Sequence, residues 1–174
     1  MRAFLLVLVF LVFPVGCAHA DGTYKQVRIF DCSGSKMTVD DGDTLHCGDE
    51  RIRIMGIDTP ETKHPAHGFM EDQPYGPEAT LLAKKILEPA KVVTIVAGGT
   101  DIYGRTLGHV LVDGVHFGAQ MVAAGLAYET ISKYGDSGFA GFAALILEAA
   151  RNAPELKFEN PHDWRKKKRK AISK

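Results

Sequence analysis

Val39-Asp40-Asp41-Gly42-Asp43-Thr44 and Arg51-Ile52-Arg53-Ile54-Met55-Gly56-Ile57-Asp58-Thr59-Pro60-Glu61 are the two stretches on which the reading of this chain turns. In the first, Asp41-Gly42 is a turn pair between Lys36–Val39 and Thr44–Cys47, two short segments of strand character. In the second, arginine alternates with isoleucine. Side chains of a strand point alternately to its two faces, so Ile52 and Ile54 face a core while Arg51 and Arg53 make the other face cationic.

Working outward, Tyr24–Phe30, Val92–Val96 and Thr106–Val112 read as further strands, separated by turn clusters. Between the two groups lies a long polar loop, Thr59 to Tyr75, with Pro60, Pro65 and Pro74. Loops of this length inside a compact domain are usually functional or mobile. The period then changes. Gly76-Pro77-Glu78 opens a helix whose stripe is Ala79, Leu82, Ala83 and Ile86, and Pro89 stops it. Val115–Ala127 and Gly138–Ala153 read as two more helices, the last with Phe139, Phe142, Ala143, Ile146, Ala149 and Ala150 on one face. Strands first, then helices grouped to one side, predict an α+β domain built on a small barrel.

The composition agrees with one globular domain. The 174 residues are 45% hydrophobic and 24% charged, with 18 Gly and 8 Pro, which excludes a disordered chain, a collagen-like repeat and a disulfide-dense mini-protein. Residues 1–20 carry a basic start, an apolar run from Ala3 to Val15 and the ending Ala18-His19-Ala20, the pattern of a secretory signal peptide cut after Ala20. The rival reading is lipid attachment at Cys17. Export to an oxidising compartment favours a disulfide between the remaining pair, Cys32 and Cys47, over two buried thiols; it would contribute about 2–3 kcal/mol. The net charge of zero hides a division. Residues 21–164 hold thirteen basic against twenty-one acidic groups, a balance of −8, whereas Arg165–Lys170 is an unbroken basic run.

No phosphate-cradling G-x-x-x-x-G-K, no H-E-x-x-H, no G-x-S-x-G and no C-x-x-C occurs. His64 and His67 stand three apart in the polar loop, where solvation is their ordinary fate. What remains is carboxylate and guanidinium gathered around the two opening stretches. Aspartates clustered at strand ends, with no cysteine or histidine beside them, suit a hard cation with oxygen ligands such as Ca²⁺. From composition alone, a solvated polar hairpin tip is the equally ordinary alternative.

The order of the blocks changes that balance. Asp41-Gly42-Asp43-Thr44, Arg53-x-x-x-x-Asp58-Thr59-Pro60-Glu61-Thr62-Lys63-His64-Pro65, Tyr75-Gly76-Pro77-Glu78-Ala79, Asp101-x-Tyr103-Gly104-Arg105 and Gly125-Leu126-Ala127 together resemble the staphylococcal nuclease (thermonuclease) family over residues 36–153. The resemblance implies a five-stranded OB-type β-barrel with three α-helices, and Ca²⁺-dependent hydrolysis of DNA and RNA phosphodiesters. It would assign metal binding to Asp43, Asp58 and the main-chain carbonyl of Thr59. Glu61 would be the general base, Arg53 and Arg105 would bind phosphate, and Tyr103 would contact a nucleotide. Arg53 and Asp58 are an odd number of residues apart, so a straight strand would send them to opposite faces. The assignment therefore requires an irregularity between Met55 and Asp58, with Gly56 its natural place.

Two departures from the family accompany the match. The loop Lys63–Asp72 is longer and less cationic, and Ile131 and Lys133 stand where an aromatic pair is expected, with Tyr134 near by. The expectation is a monomeric enzyme, secreted or periplasmic, acting on DNA and RNA without a membrane or a stable protein partner. The competing class is a non-catalytic nucleic-acid-binding OB module. The tail, 165–174, is expected to be disordered and to attract polyanions without sequence preference.

Overall fold

A computed structural model of the chain describes residues 27–65 and 69–172. The leader at 1–20, its cut after Ala20, Cys17 and His67 lie outside the described residues. The chain opens with β1 (Arg28–Asp31) and a 3-10 turn at Gly34–Lys36, then β2 (Met37–Val39), β3 (Thr44–Cys47), β4 (Glu50–Ile54) and β5 (Ile57–Asp58). After the long loop come α1 (Gly76–Leu87), β6 (Val93–Thr100), β7 (Thr106–Val112), β8 (Val115–His116) and α2 (Phe117–Ala123). The last elements are β9 (Tyr128–Glu129), α3 (Ile131–Tyr134), α4 (Ala140–Asn152) and α5 (Pro161–Ile172).

The α+β expectation of a five-stranded OB-type barrel with three helices is not what forms. Among the described residues there are five α-helices and a seven-stranded sheet, ordered β1-β6-β7-β4-β3-β2 with β8 added to β7. The sheet stays open because β1 and β2, its two ends, each have one strand neighbour. Pairings are antiparallel except β4 on β7, which is parallel. A disulfide between Cys32 and Cys47 (Cα atoms 5.5 Å apart) ties the chain after β1 to the end of β3 across this opening. The segment that reads as one strand, Arg51–Ile57, breaks at Gly56, which takes φ +81°. β5 then leaves the main sheet and pairs with β9, Asp58 opposite Tyr128. That break is the irregularity required between Met55 and Asp58.

The alternation in β4 works as anticipated: Ile52 and Ile54 are buried while Arg51 and Arg53 stay partly accessible. The two isoleucines join Leu45, Val93, Ile95 and Val110 in the core beneath Ala79, Ala83 and Leu87 of α1, Phe117 and Met121 of α2 and Ile146 of α4. The basic tail is a second correction, because it is helical as α5. Asn160 accepts from the His162 N–H at 3.0 Å, Pro161 begins the helix, and Trp164 is buried.

Beneath α4 lies a buried histidine pair. The Nδ1 of His116 accepts the Ala119 N–H at 3.1 Å and so caps α2, leaving its Nε2–H to donate to Nδ1 of His109, also at 3.1 Å. The proton of His109 then sits on Nε2, a buried atom without a hydrogen-bond partner among the described residues, beside the rings of Phe139 and Phe142. Burial pushes the pKa of His116 down to about 4. Burial and the neighbouring His116 push that of His109 down to about 3. In the unfolded chain both titrate near 6.5. Between that pH and about 4 the unfolded chain takes up protons that the folded one refuses, so stability falls as pH falls. At pH 5 each histidine costs about 2 kcal/mol relative to pH 7. Urea melts at pH 7 and pH 5 should show His109→Leu losing about 2 kcal/mol less than the parent chain on acidification. Equal losses in the two chains would mean that His109 is not held neutral in the fold.

Candidate active site

The two opening stretches meet at the strand break. The Asp41-Gly42-Asp43 turn carries Asp43 inward: Asp41 accepts the Asp43 N–H at 3.0 Å, and the Thr59 N–H donates to Asp43 Oδ2 at 2.8 Å. Gly42 is close enough to Thr59 that a Cβ there would lie 2.7 Å from its Oγ1, so a side chain at 42 would force the turn or Thr59 to shift. Glu61 is held in a similar way. A Cβ on Gly76 would lie 2.3 Å from the Glu61 carbonyl oxygen, and the Gln73 side chain accepts the Glu61 N–H at 3.2 Å. Gly76, at the start of α1, thus presses the helix against the main chain that carries Glu61.

Asp43 and Asp58 are 3% and 6% exposed, and two buried like charges need a cation between them. Arg53 supplies it. Its Nη1 contacts Asp43 Oδ1, and its Nη2 donates to Asp58 Oδ1 at 2.8 Å and to the Ile57 carbonyl at 3.3 Å. A second guanidinium completes the cluster from the far end of the chain. Arg165 of α5 donates to both oxygens of Asp58, at 3.1 and 2.9 Å, and to Glu61. Burial pushes the Glu61 carboxyl above its usual range, and the Arg165 charge opposes that rise. Burial also raises Asp41, against the charge of Arg53. Burial would lower Arg165, but its bonds to Asp58 and Glu61 raise it well above the ordinary guanidinium value.

These groups wall a cavity of about 600 Å³ lined by Asp41, Asp43, Arg53, Glu61, Tyr103, Arg105 and, from α5, His162, Arg165 and Arg169. That is within the size range of small-ligand sites. Asp58 faces a neighbouring cavity of about 290 Å³, which Arg53 and Arg165 also border. Tyr134 lines this second space, while Lys133 lies over the Tyr134 ring at 5.1 Å. Of the residues singled out from sequence, Asp43, Asp58, Thr59, Glu61 and Arg53 come together in one cluster. Arg105 and Tyr103 share the cavity but not the cluster. The Arg105 Nε donates to Asp101 at 2.7 Å, and its guanidinium lies 5.7 Å from the centre of the exposed Tyr103 ring. Burial would raise the Asp101 carboxyl, but the Arg105 side-chain bond and the N–H groups of Arg105 and Tyr103 hold it below its usual range.

The donor set is oxygen throughout. Asp43, Asp58 and the Thr59 carbonyl are the oxygen donors that could hold a hard divalent ion, which would share the two carboxylates with Arg53. Among the described residues no group of three or more His, Cys, Asp or Glu side chains forms a ready cage, so such a site would depend on main-chain oxygen or water. Sequence reasoning missed Arg165, Arg169 and His162. The signal was present in Asn160-Pro161-x-Asp163, a helix start with its cap, its Pro and its first-turn acid.

A family model described as staphylococcal nuclease homologue matches residues 51–157. The chain is 34% identical to a thermonuclease of Staphylococcus intermedius over 70% of this chain and 74% of that protein. It is 36% identical to a thermonuclease of Staphylococcus hyicus over 60% of this chain and 57% of that protein. With the staphylococcal-like nuclease CAN1 of Arabidopsis thaliana it shares 30% identity over 87% of this chain and 43% of that protein. The matches thus span three quarters of the first relative and about half of the other two. Arg53, Asp58, Thr59, Glu61, Tyr103 and Arg105 lie within the segment matched by the family model, and Asp43 and Arg165 outside it. On that match and those relatives, the chain belongs to the staphylococcal nuclease family.

Proposed function

We propose that this chain is a Ca²⁺-dependent nuclease, secreted or periplasmic, that hydrolyses phosphodiester bonds of DNA and RNA. One observation carries the reading: Asp41, Asp43 and Glu61 line, with Arg53, a cavity that Arg105 also lines, and Asp58 is joined to them through Arg53 and Arg165. A surface that only bound a polyanion would gain nothing from three carboxylates turned toward it. The leader-like residues 1–20 and the Cys32–Cys47 bridge support an exported protein.

Hydrolysis joins a water oxygen to phosphorus and breaks one P–O ester bond, and negative charge accumulates on the phosphoryl oxygens at the transition state. Groups that bind this charge more strongly than the ground state accelerate the step. Arg53 and Arg105 are suited to it, because planar guanidiniums bind phosphate oxygens in pairs. Glu61 would accept the proton of the attacking water, and its burial makes it a better base than an exposed carboxylate. The departing oxygen leaves with a proton drawn from solvent or a neighbouring acid. Asp43, Asp58 and the Thr59 carbonyl would hold Ca²⁺, which when bound supplies fixed positive charge beside the phosphate.

Single-stranded DNA should be degraded with Ca²⁺ and left intact with a chelator. Cleavage that survives the chelator would reject the metal assignment, and no cleavage with any divalent ion would favour the binding module. Glu61→Gln should lower kcat by about 10²–10⁴ while Ca²⁺ still binds by calorimetry. Turnover near the parent value would remove Glu61 from the role of base.

A further inference from the structure

The C-terminal helix brings a cationic face to the site from outside the matched segment. His162, Arg165 and Arg169 are spaced three and four residues apart, which places them on one side of α5, and all three line the larger cavity. The helix does not depend on Arg165 for its place. Trp164 is buried against Phe69, with ring centres 5.5 Å apart, and Phe158 is buried between Tyr75 and Tyr128. The Gln73 side chain donates to the Glu159 carbonyl at 2.6 Å, and the Tyr128 hydroxyl to the Phe158 carbonyl at 2.9 Å. Lys168 pairs with Glu71 and covers the Trp164 ring. Arg165 therefore projects from a separately anchored element onto both oxygens of Asp58 and onto Glu61.

A divalent ion held by Asp58 needs one of the oxygens that Arg165 already binds, and the two cations would repel each other across the same carboxylate. They are alternative partners of Asp58. Arg165 also borders both cavities, so a change of side-chain rotamer would keep its guanidinium inside the site, on the side where Arg53 and Arg105 would meet substrate. Resting on the nuclease reading above, we propose that Arg165 is a further substrate-positioning residue, which gives up Asp58 to a divalent ion and takes a phosphate of the nucleic acid in exchange. The matching geometry is that of a fork of donors for a carboxylate, which serves a phosphate equally well. Arg169, one turn further on the same face, extends the cationic wall toward a neighbouring phosphate of a polynucleotide.

The consequence is opposite in sign for the two ligands. Without nucleic acid, Arg165→Gln should bind Ca²⁺ about 10-fold more tightly by calorimetry, because one of the two guanidiniums on Asp58 is gone and Arg53 alone remains. At saturating Ca²⁺ the same variant should raise KM for single-stranded DNA about 10-fold, with a smaller effect on kcat. Arg165→Lys should recover part of the DNA affinity, since it keeps the charge without the fork. A residue serving only to hold α5 in place would not tighten Ca²⁺. Equal or weaker Ca²⁺ affinity in Arg165→Gln, with its melting temperature preserved, would overturn the inference, as would an unchanged KM. If Arg165→Gln does not fold, Arg165→Lys carries both measurements, with a smaller tightening of Ca²⁺ expected and none overturning. A parent chain that neither binds Ca²⁺ nor cleaves DNA would overturn the nuclease reading and this inference together. A parent chain that does both, beside variants indistinguishable from it, would overturn this inference alone.

Discussion

The contact on which the rest depends is Arg53 lodged between Asp43 and Asp58. Two carboxylates with little access to water cannot share a site unless a cation holds them, and removing that cation would leave uncompensated buried charge. The fold around it is shaped to bring the three side chains together from three places. Asp43 comes in on a tight turn that Gly42 lets approach Thr59. Arg53 comes from the accessible face of β4, and Asp58 from β5 after the chain has changed direction at Gly56. A continuous strand through Met55 would separate the arginine from its carboxylate by one face of the sheet. The break at Gly56 costs the main sheet a strand, since β5 pairs with β9 instead, and the site is what that rearrangement secures.

Much of this was legible in residue order. Once the resemblance placed Arg53 and Asp58 in one site, parity demanded an irregularity between them, and alternation assigned Ile52 and Ile54 to the core. The helices starting at Gly76 and near Ala140 announced themselves by apolar period and by Gly76-Pro77-Glu78. Closure of the sheet was not legible, because it depends on whether the two end strands meet. β1 pairs with β6, far away in sequence, and no local pattern in Arg28–Asp31 specifies that partner or leaves an edge free for β2.

The tail was misread for a related reason. A run of six basic residues is a good sign of a solvated segment when taken by itself. Its order comes from Trp164 against Phe69 and from Phe158 between two tyrosines, contacts made across about a hundred residues of chain or by a segment that carries no pattern of its own. Arg165 was invisible for the same cause. Within the run it is one cation among six, and only the docking of α5 distinguishes it as the one that reaches Asp58. In candidate sites built from matched motifs, such residues are the ones that a family comparison is least able to supply.

The division of charge acquires a meaning from this arrangement. A body carrying −8 over residues 21–164 repels a polyanion at long range, and two arginines pinned to carboxylates or to Asp101 do little to reverse that field. α5 places the largest concentration of positive charge in the chain at the rim of the cavity lined by Asp41, Asp43, Glu61, Arg53 and Arg105. Exposed Lys166, Lys167 and Arg169 are screened by salt beyond a Debye length of about 8 Å, so their reach is short at physiological ionic strength. Their effect is therefore local. It is felt by a phosphate backbone already near the cleft, and it falls away over the acidic remainder of the surface. Beside an acidic body, α5 thus offers a polyanion an attractive approach, and that approach ends at the cavity lined by Asp43 and Glu61.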